Sequence, residues 1–198
     1  MATVVVPFRS TDPKRRLAGV RDADRERLAE AMLADVLGAA LPVGPVLVVA
    51  PGRPKLPDGV RHVPDPRRGQ GAAVGAALDA AAASALPAPF LVVNADLPCA
   101  TTRDLLALAG AVPDGGLALV AAADGTTNAL ALAAAVIFEP LYGPASAERF
   151  EALAPSRRLD APNLVDDVDT LDDLTRLRGR LGAHTRGVLA SLRLESAA

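Results

Sequence analysis

Apolar residues in this chain fall into short dense runs separated by polar, proline- or glycine-marked breaks. That spacing predicts strands alternating with helices. Thr3 to Pro7 (TVVVP) is a β-branched run closed by proline and reads as a buried strand. After a polar loop, Asp22 or Asp24 caps a helix whose Leu28, Met32, Val36 and Leu37 share one face, and Pro42, Gly44 and Pro45 stop it. Val46 to Ala50 (VLVVA) is a second strand and Val60 to Val63 a short third. The loop Pro64 to Gly71 opens an alanine-rich helix reaching about Leu86. Phe90 to Asn94 (FLVVN) is the next strand, Thr101 or Thr102 caps a short helix, and Leu117 to Ala122 is a strand. The turn Asp124 to Asn128 leads into the apolar segment Ala129 to Phe138, and Ser146 caps a helix to about Leu153. Asn163 to Val168 is read as a final strand, Thr170 to Leu181 as a helix, and Gly182 to Leu194 as one more.

Strands alternating with helices over 198 residues predict a single α/β domain spanning 1–198, with a largely parallel sheet. The two strands back to back around Asp124 to Asn128 predict one antiparallel strand, hence a mixed sheet. About half the residues (51%) are hydrophobic, so the chain can bury a core without disulfides or structural metal. A net charge of −2 argues against a nucleic-acid binder and against a polybasic membrane anchor. Cys99 is the sole cysteine, which excludes an intramolecular disulfide and a thiolate metal cage. Met1 to Pro7 lacks the pattern of a signal peptide, and no apolar run is long enough to span a bilayer. The expectation is a cytoplasmic protein.

Ligands of open α/β sheets collect outside the carboxyl ends of the parallel strands. That rule singles out Asp96, directly after FLVVN; the other reading is a turn aspartate bonding its own backbone. Asp167 and Asp169 lie two apart in an extended segment, so their carboxylates share a side while Asp166 points away. Paired like charges call for a cation, and Mg²⁺ suits carboxylate oxygens and substrate phosphates. Helix capping accounts for Thr170, Asp172 and Asp173 but not for Asp167. The loop Phe8 to Leu17, with Lys14 and Arg16, is either a triphosphate cradle or a solvated basic loop. Gly125 to Asn128 and Tyr142 to Ser146 are candidate anion-binding turns, the second opening a helix at Ser146 or merely capping it. Gly69, Gln70 and Gly71 open a helix in the same manner. His62 and His184 have no partners at metal spacing, no serine sits in a nucleophile elbow, and Cys99 reads as a small buried residue.

Taken in order, VPFRSTDPKRRL, NADLP, DGTTNAL, YGPAS and DDVDTLDDL resemble the guanylyltransferases of coenzyme F-420 biosynthesis, which act on 2-phospholactate or phosphoenolpyruvate. The resemblance runs from residue 4 to about 190. It implies a single-domain, Rossmann-like nucleotidyltransferase fold of the GT-A type, with a mixed, mostly parallel sheet and helices on both faces. The implied reaction is attack of a substrate phosphate oxygen on the α-phosphorus of GTP, releasing pyrophosphate; the alternatives are another nucleotidyltransferase of the same fold, of the molybdopterin type using GTP or CTP, and an inactive nucleotide-binding homologue. By similarity, Asp96, Asp167 and Asp169 hold Mg²⁺, and Lys14 and Arg16 neutralise the triphosphate. Pro7, Lys14, Gly69, Gln70, Gly71 and Asp96 bind the nucleotide. Thr127 (or Thr126), Gly143 and Ser146 hold a phosphorylated three-carbon acid. Implied partners are GTP, that acid and a downstream transferase taking the unstable product; Val188, Leu189 and Leu192 offer apolar positions for the domain or for a homodimer. Two positions depart from the family pattern. Gly69-Gln70-Gly71 stands where Gly-Leu-Asn is common, and Phe150 where a histidine often follows YGPAS.

Overall fold

A computed structural model of the chain describes residues 1–9 and 21–192. Seven strands form one sheet: β1 (Thr3–Pro7), β2 (Val46–Ala50), β3 (Val60–Pro64), β4 (Phe90–Val93), β5 (Leu117–Ala121), β6 (Thr127–Leu132) and β7 (Ser156–Arg158). Their order is β3-β2-β1-β4-β6-β5-β7. β1 pairs in parallel with β2 and β4, β2 with β3, and β5 with β7, whereas β6 runs antiparallel to both β4 and β5. Six strands thus share a direction and β6 opposes them, the mixed sheet anticipated from the turn at Asp124–Asn128.

The strand runs alternate between two cores, as period-two geometry requires. On one face Val4, Val6, Val48, Leu91 and Val93 pack under α1 (Asp22–Ala40) and α3 (Thr102–Gly110), through Leu33, Val36, Leu37, Leu105 and Leu108. On the other, Val5, Leu47, Val49 and Val92 pack under α2 (Gln70–Ala83) and α4 (Ser146–Glu151), through Val74, Leu78 and Phe150. A third cluster joins Leu28 and Met32 of α1 to Cys99, Val168 and the last helices, α6 (Leu171–Arg176) and α7 (Ala183–Ser191). Val188, Leu189 and Leu192 pack onto this cluster of their own chain. No described helix is long and apolar enough to cross a membrane.

Several expected elements are corrected. Asp22 and Asp24 lie in the first turn of α1 rather than at its cap, which is Arg21; Asp24 is buried and takes Arg21 and Arg27 instead. Asn163 to Val168 is no strand. Proline at the first helical position starts one turn, α5 (Pro162–Val165), and the place beside β5 is filled by β7, whose Ser-Arg-Arg carries no apolar signal. After β6 the apolar run bends into a single 3₁₀ turn, Ala135–Ile137. Thr101 and Thr170 do cap α3 and α6, each in a reciprocal box with the aspartate three residues on.

Candidate metal and nucleotide site

The carboxyl ends of β1, β2 and β4 open onto a cavity of about 300 Å³. Phe8, Ala29, Met32, Val49 and Ala73 give it apolar walls; Arg9, Asp65, Gln70, Asn94 and Asp96 bring polar groups to it. The antiparallel β6 matters here. Its first residues lie beside the end of β4, with the Asn94 amide donating to the Asn128 carbonyl at 3.1 Å. The loop before β6 therefore sits at the same rim as Asp96.

Asp96, Asp167 and Asp169 converge at this rim. One carboxylate oxygen from each lies within 4.8 Å of the others, and all three residues are half-buried. The chain arrives there without a strand. Buried Leu164 and Val168 anchor the segment on either side, and the Val168 amide donates to the Asp96 carbonyl at 3.0 Å. Asp166 is extended, so alternation holds: Asp167 and Asp169 face Asp96 while Asp166 turns to Arg176, 2.7 Å away, and Arg180. Burial would push the Asp166 carboxyl up, but hydrogen bonds from Arg180 and Arg176 outweigh it and hold its pKa below the ordinary range. Asp173 completes the capping box that Thr170 opens on α6, accepting from the amides of Thr170 and Asp169, and its pKa is likewise lowered by Thr170 and Arg176 against burial. Three carboxylate oxygens so close suit a hard divalent cation that keeps open positions for water and phosphate. The donor set fits Mg²⁺.

The other expected site residues divide among three places. Pro7, Gln70 and Asp96 line the cavity. Gly69 and Gly71, with Gly143, line an adjoining groove of about 990 Å³ between α2 and the segment before α4; Gln70 borders both. Thr127 and Ser146 are brought together but turned inward, their hydroxyls 3.0 Å apart and both residues buried. Thr126 donates its amide and hydroxyl to Asp124, at 2.9 and 2.7 Å. Ser146 is not the cap of α4. That place belongs to Ala145, at a left-handed φ of 54°, and the Ser146 amide is spent on the Gly143 carbonyl. With six residues and that amide taken, α4 offers no strong dipole to an anion. Phe150 is a core residue: its ring meets Tyr142 edge-on at 5.2 Å and stacks on Phe138, so it props the Tyr142–Ser146 loop from beneath. Burial pushes the Tyr142 hydroxyl pKa up, as it does that of the Cys99 thiol. Lys14 and Arg16 lie outside the described residues.

Arg9, Asp65 and Asn94 were not singled out from the sequence. Asp65 directly follows β3, so the strand-end rule that found Asp96 also reaches it; its carboxylate accepts from the Arg67 amide at 2.7 Å and from Arg9 Nε at 3.3 Å.

Residues 21–185 match the model of the MobA-like NTP transferase domain. The chain is 37% identical to a phosphoenolpyruvate guanylyltransferase of Roseiflexus sp. RS-1, covering 92% of this chain and 86% of that protein. It is 35% identical to a 3-phospho-D-glycerate guanylyltransferase of Phenylobacterium zucineum, covering 91% of each. It is 33% identical to a 2-phospho-L-lactate guanylyltransferase of Methanosphaerula palustris, covering 87% and 82%. Among solved structures it is similar to a protein of Desulfovibrio desulfuricans G20 provisionally classed as a nucleotide-diphospho-sugar transferase, with TM-score 0.70, 16% identity and coverage of 96% and 95%. A second is the 2-C-methyl-D-erythritol 4-phosphate cytidylyltransferase of Thermus thermophilus, with TM-score 0.56, 19% identity and coverage of 96% and 98%. These two likenesses concern the fold.

Proposed function

Because this chain belongs to the MobA-like NTP transferase family, and within it to the guanylyltransferases of small phosphorylated acids, we propose that it transfers GMP from GTP to such an acid and releases pyrophosphate. The observation that carries this reading is the convergence of Asp96, Asp167 and Asp169 beside a nucleoside-sized cavity at the carboxyl ends of the parallel strands. A phosphate oxygen of the acid forms the new bond to the α-phosphorus as the bond to the β-phosphate oxygen breaks. The attacking phosphate is already ionised at neutral pH, so no general base is required, and none is needed from His62 or His184.

Bound at the three carboxylates, Mg²⁺ would neutralise phosphate charge and favour departure of pyrophosphate. The protein's own contribution is positioning and electrostatics. Asp96 is fixed by the turn after β4, and Asp167 and Asp169 by the buried anchors on either side. Arg176 and Arg180 keep Asp166 out of the cluster, so three rather than four carboxylates meet there. Lys14 and Arg16 serve the triphosphate. Gly143, at φ 118° on the groove, and the backbone of the Gly125–Thr127 turn serve the acid. The inward pairing of Thr127 with Ser146 makes these two residues the brace between those loops. Consistent with the relatives' substrates, the product is a mixed diphosphate made in the cytoplasm for coenzyme F-420 synthesis and consumed by a downstream transferase.

Pyrophosphate release tests the reading directly, with Mg²⁺, each of GTP, CTP and ATP, and each of phosphoenolpyruvate, 2-phospholactate and 3-phosphoglycerate. Release with GTP and one acid, with the adduct identified by mass, is the expected result. Release only with CTP or ATP, or none with any pair, contradicts it.

A further inference from the structure

The register between β5 and β6 slips near the start of β6. Val120 stands opposite Ala129 but Ala121 stands opposite Thr127, which leaves Asn128 as the extra residue of a bulge. Regular alternation would turn Asn128 to the face opposite Ala129. The bulge lets both face one side. Ala129 packs in the same core as Leu164 and Val165, and Asn128 reaches the last residue of α5, its Nδ2 donating to the Val165 carbonyl at 2.9 Å. Thr127 turns the other way, to Ser146 of α4. The Asn128 amide has one orientation there, because a backbone carbonyl only accepts. A one-turn helix cannot satisfy its own last carbonyls, and α5 ends directly before Asp166. The stretch that carries Asp167 is thus tied on both sides: upstream by Asn128 at Val165, downstream by the Val168 amide on the Asp96 carbonyl at 3.0 Å.

We propose that Asn128 is a positioning residue of the ion site: through the Val165 carbonyl it fixes where Asp167 and Asp169 stand relative to Asp96, without itself touching ion or substrate. This rests on the reading of the three carboxylates as that site. Like charges repel, so before an ion arrives the backbone must hold the three carboxylates within reach of one another. The other polar ties on this stretch come from Arg176 and Arg180, long side chains that stand half-exposed and grip Asp166. Asn128 is short, only 3% exposed and rooted in the sheet, so its tie yields least. Without it Asp167 and Asp169 drift from Asp96, and the ion must gather them again at the expense of affinity.

The test is Mn²⁺ binding, followed by paramagnetic resonance, to the wild type and to Asn128→Leu, which keeps the volume and removes the donor. Both are measured at a temperature where each is folded. The variant should bind Mn²⁺ about tenfold more weakly, the scale of losing a group that orients metal ligands. The Mg²⁺ concentration that half-saturates pyrophosphate release should rise by a similar factor. A merely structural role lowers the unfolding midpoint and moves neither quantity, and that result overturns the proposal. A second measurement needs no variant to fold. Coupling is reciprocal, so saturating Mg²⁺ should slow hydrogen exchange at the Asn128 side-chain amide of the wild type by about tenfold as well. An exchange rate that Mg²⁺ leaves unchanged overturns the role of Asn128 alone, whereas a wild type that binds no Mn²⁺ overturns the ion site and this role with it.

Discussion

Residues Asp166 to Asp169 divide by alternation between two roles. Asp167 and Asp169 face Asp96, while Val168 enters the core and Asp166 meets two arginines. This much was legible in the sequence, because residues two apart in extended backbone share a side whether or not a strand forms. Asp96 was legible from its place after FLVVN. The pairing of Thr127 with Ser146 was not: the two are 19 residues apart, and only the packing of α4 against the start of β6 makes their hydroxyls meet. Ser146→Ala would leave the buried Thr127 hydroxyl without that partner, a loss of about 1–3 kcal/mol. A lowered urea midpoint with an unchanged slope would show it; an unchanged midpoint would mean the hydroxyl pair braces nothing.

Elements with an apolar run or a helix-start signal were legible, the short helices α3, α4 and α6 among them, whereas α5 and β7 were not. α1, α2 and the first five strands follow their apolar runs closely, while β6 begins inside the expected turn at Thr127 and leaves its run at Leu132. β7 is three exposed residues with two arginines, an edge strand whose composition discourages further pairing and carries no strand signal. α7 shows a different gap. Its amide donors at His184 and Thr185 are capped by Asp35 of α1, at 3.0 and 2.9 Å, a cap supplied 149 and 150 residues away that no local pattern reveals. Gly182 at the cap position leaves room for that carboxylate: a Cβ there would fall 2.2 Å from Asp35 Cγ. Gly182→Ala should displace Asp35, uncap α7 and destabilise the protein by about 1–3 kcal/mol, the usual cost of overpacking a fitted site. Thermal unfolding measures this, and an unaltered midpoint would contradict the cap.

At the scale of the molecule, one antiparallel strand organises the site. Because β6 opposes its neighbours, the loop before it joins the residues directly after β1, β2 and β4 at a single rim, and the segments proposed to handle the acid and the nucleotide meet there. The sequence indicated the reversal through its turn; it did not indicate that Gly69 and Gly71 would face the groove rather than the cavity, since that depends on Pro140 packing against α2. Acid sensitivity also belongs to this scale. Asp166 and Asp173 have folded pKa values below their unfolded ones, so the stability they confer is present above about pH 4 and is lost as pH falls through the folded values. The unfolding midpoint should fall below about pH 4, and less steeply in Asp166→Asn. An identical acid profile for that variant would argue against the arginine clamp.

The central claim is that Asp96, Asp167 and Asp169 together hold the ion that guanylyl transfer requires. Its most direct test is Asp96→Asn, which removes one carboxylate charge with little change of shape. Mn²⁺ binding, followed by its paramagnetic resonance, and pyrophosphate release from GTP with the accepted acid are measured on variant and wild type alike. The account predicts that the variant keeps the wild-type unfolding midpoint to within a few degrees, binds Mn²⁺ at least about tenfold more weakly, and loses turnover by about two orders of magnitude or more. Near-normal turnover with wild-type ion affinity would contradict it.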